Sequence, residues 1–232
     1  MAPGLLIIAI MRLPFCSAIL VTLFAFPVLA SEEKEDGGAS GAAVVREMNV
    51  ARQNPTLYAS FVQELRSRMN GNVMVLPGGA KIRTKEGTAA VDEAIRFLQK
   101  VQPVGPLMVS RGMSRAAADH CADQADGGFG HAGRDRSHAN DRIARYGTAT
   151  GGWAENISYG KSSARAVVLA LIIDDGLPAR KHRQNIFNPN YNFAGAAFGR
   201  HARFGTMCSM DFAGGYAERG QAAPNTLVAR NF

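Results

Sequence analysis

Apolar residues recur at helical spacing through the first half of the chain and crowd into glycine-rich runs in the second. In AVVREMNVARQ, residues 43 to 53, Val44, Met48 and Ala51 share one face with Val45 beside them, which predicts an amphipathic helix. Pro55 suits the first turn of a second helix, where its missing N–H costs nothing. That helix runs through TLYASFVQELRSRM, with Leu57, Phe61 and Leu65 in step. The turn-rich NGNVMVLPGGAKIRTKEG breaks the pattern and predicts an inserted loop or short hairpin. Thr88 is the expected cap of AAVDEAIRFLQKV, which Pro103 and Pro106 end, and Ser114 of RAAADHCADQAD. Ser137 is the expected cap of a short helix carrying Ile143 and Tyr146, stopped by Gly147.

The second half changes period. WAENISYG predicts a short strand or a tight turn. Ser162 or Ser163 caps ARAVVLALIIDDG, apolar all round from Ala166 to Ile173, as a buried helix is. NFAGAAFGRHARFGTMCSMDFAG predicts two antiparallel strands around a turn at His201 to Gly205. Gly195, Ala196 and Ala197 would let helices sit close on that sheet. Helices flanking a small, mainly antiparallel sheet give an α+β fold, a three-layer α/β/α sandwich.

The N-terminus changes the setting. MRLPFCSAILVTLFAFPVLA reads as a secretory signal, with Arg12 in the positive region and Val28 and Ala30 at the small-residue cleavage positions. Residues 1–30 are therefore expected to leave, with translation starting at Met11. The alternative is a retained anchor, which Arg12 disfavours by interrupting the apolar run. A polar linker is expected over 31–42, one domain over 43–215 and a C-terminal tail over 216–232. The product is expected to be secreted, periplasmic or extracellular, monomeric and without a stable membrane span. Cys121 and Cys208 then remain, as candidates for one disulfide or as two small buried hydrophobes. The net charge of +7 suits anionic surfaces such as phospholipid or a polyanionic wall. No Lys/Arg tract is interleaved with aromatics, so nucleic acid is not an expected partner.

Two local features carry candidate chemistry. In FGHAGRDRS, His131 lies in a Gly-His-x-Gly loop that could present its imidazole to a cavity, or merely fasten the loop. Asp174 and Asp175 fall at the C-terminal end of the buried helix, where the macrodipole disfavours carboxylates. Either the adjacent Arg180, Lys181, His182 and Arg183 offset that cost by ion pairing, or a histidine or cation in a cavity does.

GHAGRDRS, AENISYG, LIIDDG, KHRQNIFNP and GTMCSMDFA together resemble, in order and spacing, the CAP superfamily in its microbial form. These are the cysteine-rich secretory, antigen 5 and pathogenesis-related type proteins. The resemblance runs from about Val45 to Gly214. It implies an α/β/α sandwich whose central cleft is lined by two histidines and two acids. His131 matches the first histidine, Glu155 the first acid and His182 the second histidine, while Asp174 or Asp175 must serve as the second acid. Arg136, Ala154 and Lys181 stand where such motifs often have Gly, and their bulk would narrow the cleft mouth.

Two neutral imidazoles and a carboxylate make an open-sided site for zinc or another divalent metal. His131, His182 and Glu155 are the expected ligands, with Asp174 and Asp175 orienting an imidazole from behind. No helix presents all three, so their spacing does not itself argue for a metal, as a HExxH helix would. His120, His138 and His201 are assigned to surface or packing roles. Three functions follow. The first is a secreted, non-enzymatic binding module for a lipid, sterol or other apolar ligand. The second is a metal-dependent hydrolase using Glu155, His131 and His182. The third is a cell-envelope interaction protein whose polar cluster is structural. The absence of a Gly-x-Ser-x-Gly elbow favours the first.

Overall fold

The computed structural model describes residues 40–76 and 78–220. The expected signal segment, the Met11 start, the linker as far as residue 39 and the tail beyond Gly220 lie outside them.

The stripe of Val44, Val45, Met48 and Ala51 forms the buried face of α1 (Gly41–Gln53), with Ser40 Oγ accepting from Ala43 N at 3.2 Å. Pro55 opens α2 (Pro55–Ser67). The turn-rich insertion is a small antiparallel sheet of β1 (Met69–Asn70), β2 (Val73–Val75) and β3 (Lys81–Arg83). It leads into α3 (Thr88–Lys100), whose cap is Gly87 at φ 63 rather than Thr88. After β4 (Met108–Val109), α4 (Arg111–Asp123) starts earlier than Ser114 predicts, because Ser110 is the cap. The Glu218 carboxylate accepts from Arg111 N at 2.9 Å and Gly112 N at 2.8 Å, a favourable charge at a helix N-terminus. α5 (Ala139–Tyr146) is capped at His138, not Ser137, and Asp141 reaches back to His138 N at 2.9 Å.

WAENISYG is the end of a long strand, β5 (Gly147–Tyr159), bent by a register shift between Thr150 and Trp153. α6 (Ala164–Ile173) is the buried apolar helix, capped by Ser163. A short α7 (Lys181–Ile186), not predicted from the pattern, follows. β6 (Phe193–His201) and β7 (Gly205–Glu218) form the expected hairpin. Two boundaries shift: Gly41 and Ala42 are already helical, and the sheet extends to Glu218, into the expected tail.

The main sheet has the order β4-β6-β7-β5, antiparallel except for the β4–β6 pair. Alternation along its strands separates two faces. Gly195 and Gly199 face α4 so closely that a Cβ at Gly195 would lie 2.1 Å from Ser114 N. On the other face Ala196, Met210 and Phe212 join α1, α2, α3 and α6 in the main core. The α/β/α layering is therefore observed. Cys121 packs with Ile157 and Met207 on the α4 side, whereas Cys208 belongs to the main core on the opposite side. The sheet lies between them, and both are free thiols rather than a disulfide. No described helix is long and apolar enough to cross a membrane.

Candidate functional site: two histidine–carboxylate pairs beside an apolar groove

Strand β5 organises the polar site, because its successive side chains point to opposite faces. Glu155 points toward α4 and α5. Its Oε1 accepts from His131 Nδ1 at 2.7 Å, while its Oε2 accepts from Arg142 Nη2 at 2.6 Å and Ser209 Oγ at 3.3 Å. Arg142 is fully buried and also donates to Ser137 O at 2.8 Å and to His131 O, so one guanidinium positions both the carboxylate and the His131 loop. Burial pushes the Glu155 carboxyl up, but the His131 hydrogen bond and the charges of His120, Arg142 and His131 outweigh it and hold the group below its usual value. The same hydrogen bond raises His131 above the ordinary histidine value, against partial desolvation. Arg136, where related motifs often carry Gly, has φ 65, so the loop keeps a left-handed backbone despite its side chain.

Asn156 points the other way, and its Nδ2 donates to His182 O at 3.0 Å. His182 sits in the first turn of α7, and its Nδ1 meets Asp174 Oδ1 at 2.7 Å while its backbone N–H donates to Asp174 Oδ2 at 3.1 Å. Asp174 ends α6 in the left-handed region, φ 56 and ψ 42, which turns its carboxylate back toward α7. A six-residue helix needs outside support, and buried Arg52 gives it by donating to Ile186 O at 2.6 Å and Asn188 O at 3.0 Å. Arg183 adds an ion pair with Glu93 at 2.6 Å. The two carboxylates at the helix end are thus offset differently. Asp174 is met by a histidine, and Asp175 accepts from the backbone N–H groups of Lys85 and Glu86 at 2.7 and 2.8 Å. Arg180 pairs with Glu86, holding that carboxyl down at about 2.

Each histidine therefore uses Nδ1 on a carboxylate, which keeps the proton on that nitrogen and the lone pair on Nε2. Neither Nε2 has a hydrogen-bond partner among the described residues. The resemblance implies one cleft lined by all four groups; among the described residues no hydrogen bond joins the two pairs. Among the described residues no three His, Cys, Asp or Glu side chains are grouped so as to hold a metal ion. Both Glu155 oxygens are already engaged, so that carboxylate fits the role of orienting an imidazole better than that of a direct ligand.

The His182 pair lines a groove of about 720 Å³. Phe61 and Leu65 of α2, Met74 and Ile82 of the small sheet, and Ala166, Leu169 and Ala170 of α6 line it, with Tyr159 and Lys161 beside the end of β5. His131 and Glu155 are not among its lining residues.

Sequence reasoning missed three members of the buried polar cluster. His120, assigned to packing, is wholly buried and lies 3.9 Å from Glu155 Oε2, and burial lowers its pKa. Asp211 pairs with Glu155 in register and is completely buried without a hydrogen-bond partner, so burial and the neighbouring Glu155 charge push it well above the usual carboxylate range. Arg142 completes the set. The available signal was a lone aspartate inside the strand CSMDFA, a polar residue where an apolar one would pack. His138 and His201 do take local roles, His201 Nε2 meeting Gly128 O at 2.8 Å.

A family model described as the cysteine-rich secretory protein family, CAP, matches residues 46–212. Three solved structures are similar. An extracellular protein containing an SCP domain from Bacillus anthracis is 18% identical, with a TM-score of 0.39 over 52% of this chain and 37% of its own. An outer surface protein from Borrelia burgdorferi is 15% identical, with a TM-score of 0.41 over 53% of this chain and 86% of its own. A cysteine-rich secretory protein from Staphylococcus aureus is 12% identical, with a TM-score of 0.34 over 55% and 37%. This chain thus spans little more than a third of the first and third. Among curated proteins no significant match is found.

Proposed function

Because this chain belongs to the cysteine-rich secretory protein (CAP) family, we propose that it acts as a secreted, non-enzymatic binding module that holds an amphipathic, lipid-like ligand. The groove carries this reading. Its volume falls in the range of about 300–1,000 Å³ usual for small-molecule sites, and apolar side chains supply most of its exposed wall, with Glu64, Arg68, Lys161, Asp174 and His182 among the charged and polar groups between them. An alkyl or sterol body would lie between α2, the small sheet and α6, and its polar end would meet the His182 Nε2. The thiols favour binding over covalent catalysis: burial lifts Cys121 to about 11 and Cys208 well above its ordinary value, which suppresses the nucleophilic thiolate. The test is a fluorescence titration of delipidated protein with a fluorescent long-chain carboxylate. Wild type should bind one equivalent, and Ala170→Trp, which fills the groove from α6, should abolish binding while leaving the melting curve in place. Equal binding by both proteins would overturn the reading.

A divalent cation is the second reading, favoured by the Nε2 atoms of His131 and His182, unpartnered among the described residues, each with its tautomer set by a carboxylate as in metal sites. Zinc would supply Lewis acidity there. This chain's contribution would be two oriented imidazoles, with Glu155 and Asp174 holding them.

A further inference from the structure

Phe129 is 71% exposed, yet it is fixed in place. Its ring stacks on Tyr159 with centroids 4.8 Å apart and 21° between planes, and Phe204 packs against Tyr159 at 5.2 Å. Tyr159 cannot swing away, because its hydroxyl donates to Gln124 Oε1 at 2.7 Å and accepts from Gly130 N at 3.0 Å. A phenyl ring held rigidly in water contributes little to folding, so its exposed face is free for a partner.

The surroundings say which kind. Arg203 lies over the Phe204 ring at 5.0 Å, and Lys161 follows Tyr159 by two residues, its carbonyl accepting from Thr206 Oγ1 at 2.9 Å. No carboxylate among the described residues is within ion-pair distance of either cation. Asp126, on the adjoining loop, is already paired with Arg134 at 2.8 Å. An exposed aromatic ring flanked by unpaired cations fits an interface that offers negative charge and an apolar layer beneath it. Polyanionic wall polymers offer only the charge, and would leave Phe129 in water. Tyr159 and Lys161 also line the groove, so the platform adjoins it.

We propose that the Phe129, Tyr159 and Phe204 platform, with Arg203 and Lys161, is a docking surface for an anionic lipid bilayer and brings the adjoining groove to it. The transfer of a ligand between bilayer and groove rests on the binding-module reading above; docking itself does not.

The test is co-flotation of the full mature chain with phosphatidylcholine vesicles, with and without phosphatidylglycerol. Wild type should partition onto the anionic vesicles and weaken in high salt. Phe129→Ser should reduce partition about tenfold, the effect of withdrawing part of one aromatic side chain from the interface. The double variant Lys161→Glu, Arg203→Glu should reduce it by at least about tenfold, since each cation near such a surface contributes about fivefold. Both variants should melt with wild type, and Phe129→Ser and the single variant Arg203→Glu should bind the fluorescent carboxylate in free solution unchanged. Vesicle binding without carboxylate binding would remove the groove reading and leave docking intact. Docking is overturned if wild type ignores anionic vesicles. It is equally overturned if Phe129→Ser partitions like wild type, which would mean charge attraction alone, as to a wall polymer.

Discussion

The His131–Glu155 and His182–Asp174 pairs share one wiring, Nδ1 on a carboxylate at 2.7 Å, but sit in opposite environments. The His131 side chain is 57% exposed and hangs from a buried ionic cluster, whereas the His182 side chain is 18% exposed and lines a largely apolar groove. In the first pair the carboxylate is the anchor, fixed by Arg142 and Ser209 in the sheet. In the second the backbone is the anchor, because a left-handed turn at Asp174 aims the carboxylate. The same geometry is thus reached by buried charge in one case and by chain direction in the other, and the two should fail differently.

The largest difference should come from removing the anchors. Arg142→Met leaves Glu155 buried without its cation, and should cost about 3–5 kcal/mol in urea-denaturation midpoint and slope analysis. Asp174→Gly keeps the left-handed turn and loses only the His182 contacts, and should cost about 1 kcal/mol. Equal costs would erase the distinction drawn between the pairs.

Zinc calorimetry at neutral pH asks whether the pairs cooperate. If one cation bridges them, His131→Ala and His182→Ala should each weaken binding at least tenfold, whereas His138→Ala should not. Affinity should fall as pH drops through about 6 to 7, since protonated imidazoles do not bind metal. Loss from only one variant would mean that the pairs act separately.

Protonation separates the clusters further. His131 is raised, so its contribution to stability is fully present below the unfolded histidine value of about 6.5 and disappears as pH rises through its folded value. Glu155 is lowered, so its contribution is present above the unfolded carboxylate value and disappears as pH falls through its folded value. Both shifts describe one hydrogen bond, strongest between those limits, and NMR titration should place the His131 midpoint above that of an unfolded peptide. Asp211 runs oppositely: the folded chain keeps a proton that the unfolded chain releases, so wild-type stability should fall as pH rises above about 4. Asp211→Asn should remove this dependence, up to about 1.4 kcal/mol per pH unit, in melts across that range. An unchanged slope would show that Asp211 ionises normally.

The helical half of the fold was legible because its apolar stripes match real buried faces, as in α1 and α6. Caps were misjudged where the decisive partner is remote. Ser110 rather than Ser114 starts α4, where Glu218 from the last strand also meets the first turn. α7 was illegible since its six polar-rich residues depend on Arg52 and Glu93 far away in the chain. At the site, motifs gave His131, Glu155 and His182 individually and left the second acid open between Asp174 and Asp175. Their pairing, His131 with Glu155 and His182 with Asp174, was hidden, as it depends on how the loop before α5 and the end of α6 fold. Arg142 escaped notice because a buried arginine in sequence looks like a surface one.

Native mass spectrometry of the protein purified from its own host tests the central claim most directly. The account predicts one amphipathic, lipid-sized adduct per chain in wild type and none in Ala170→Trp. A chain that carries no such adduct, or an adduct equally present in the groove-filled variant, would contradict it.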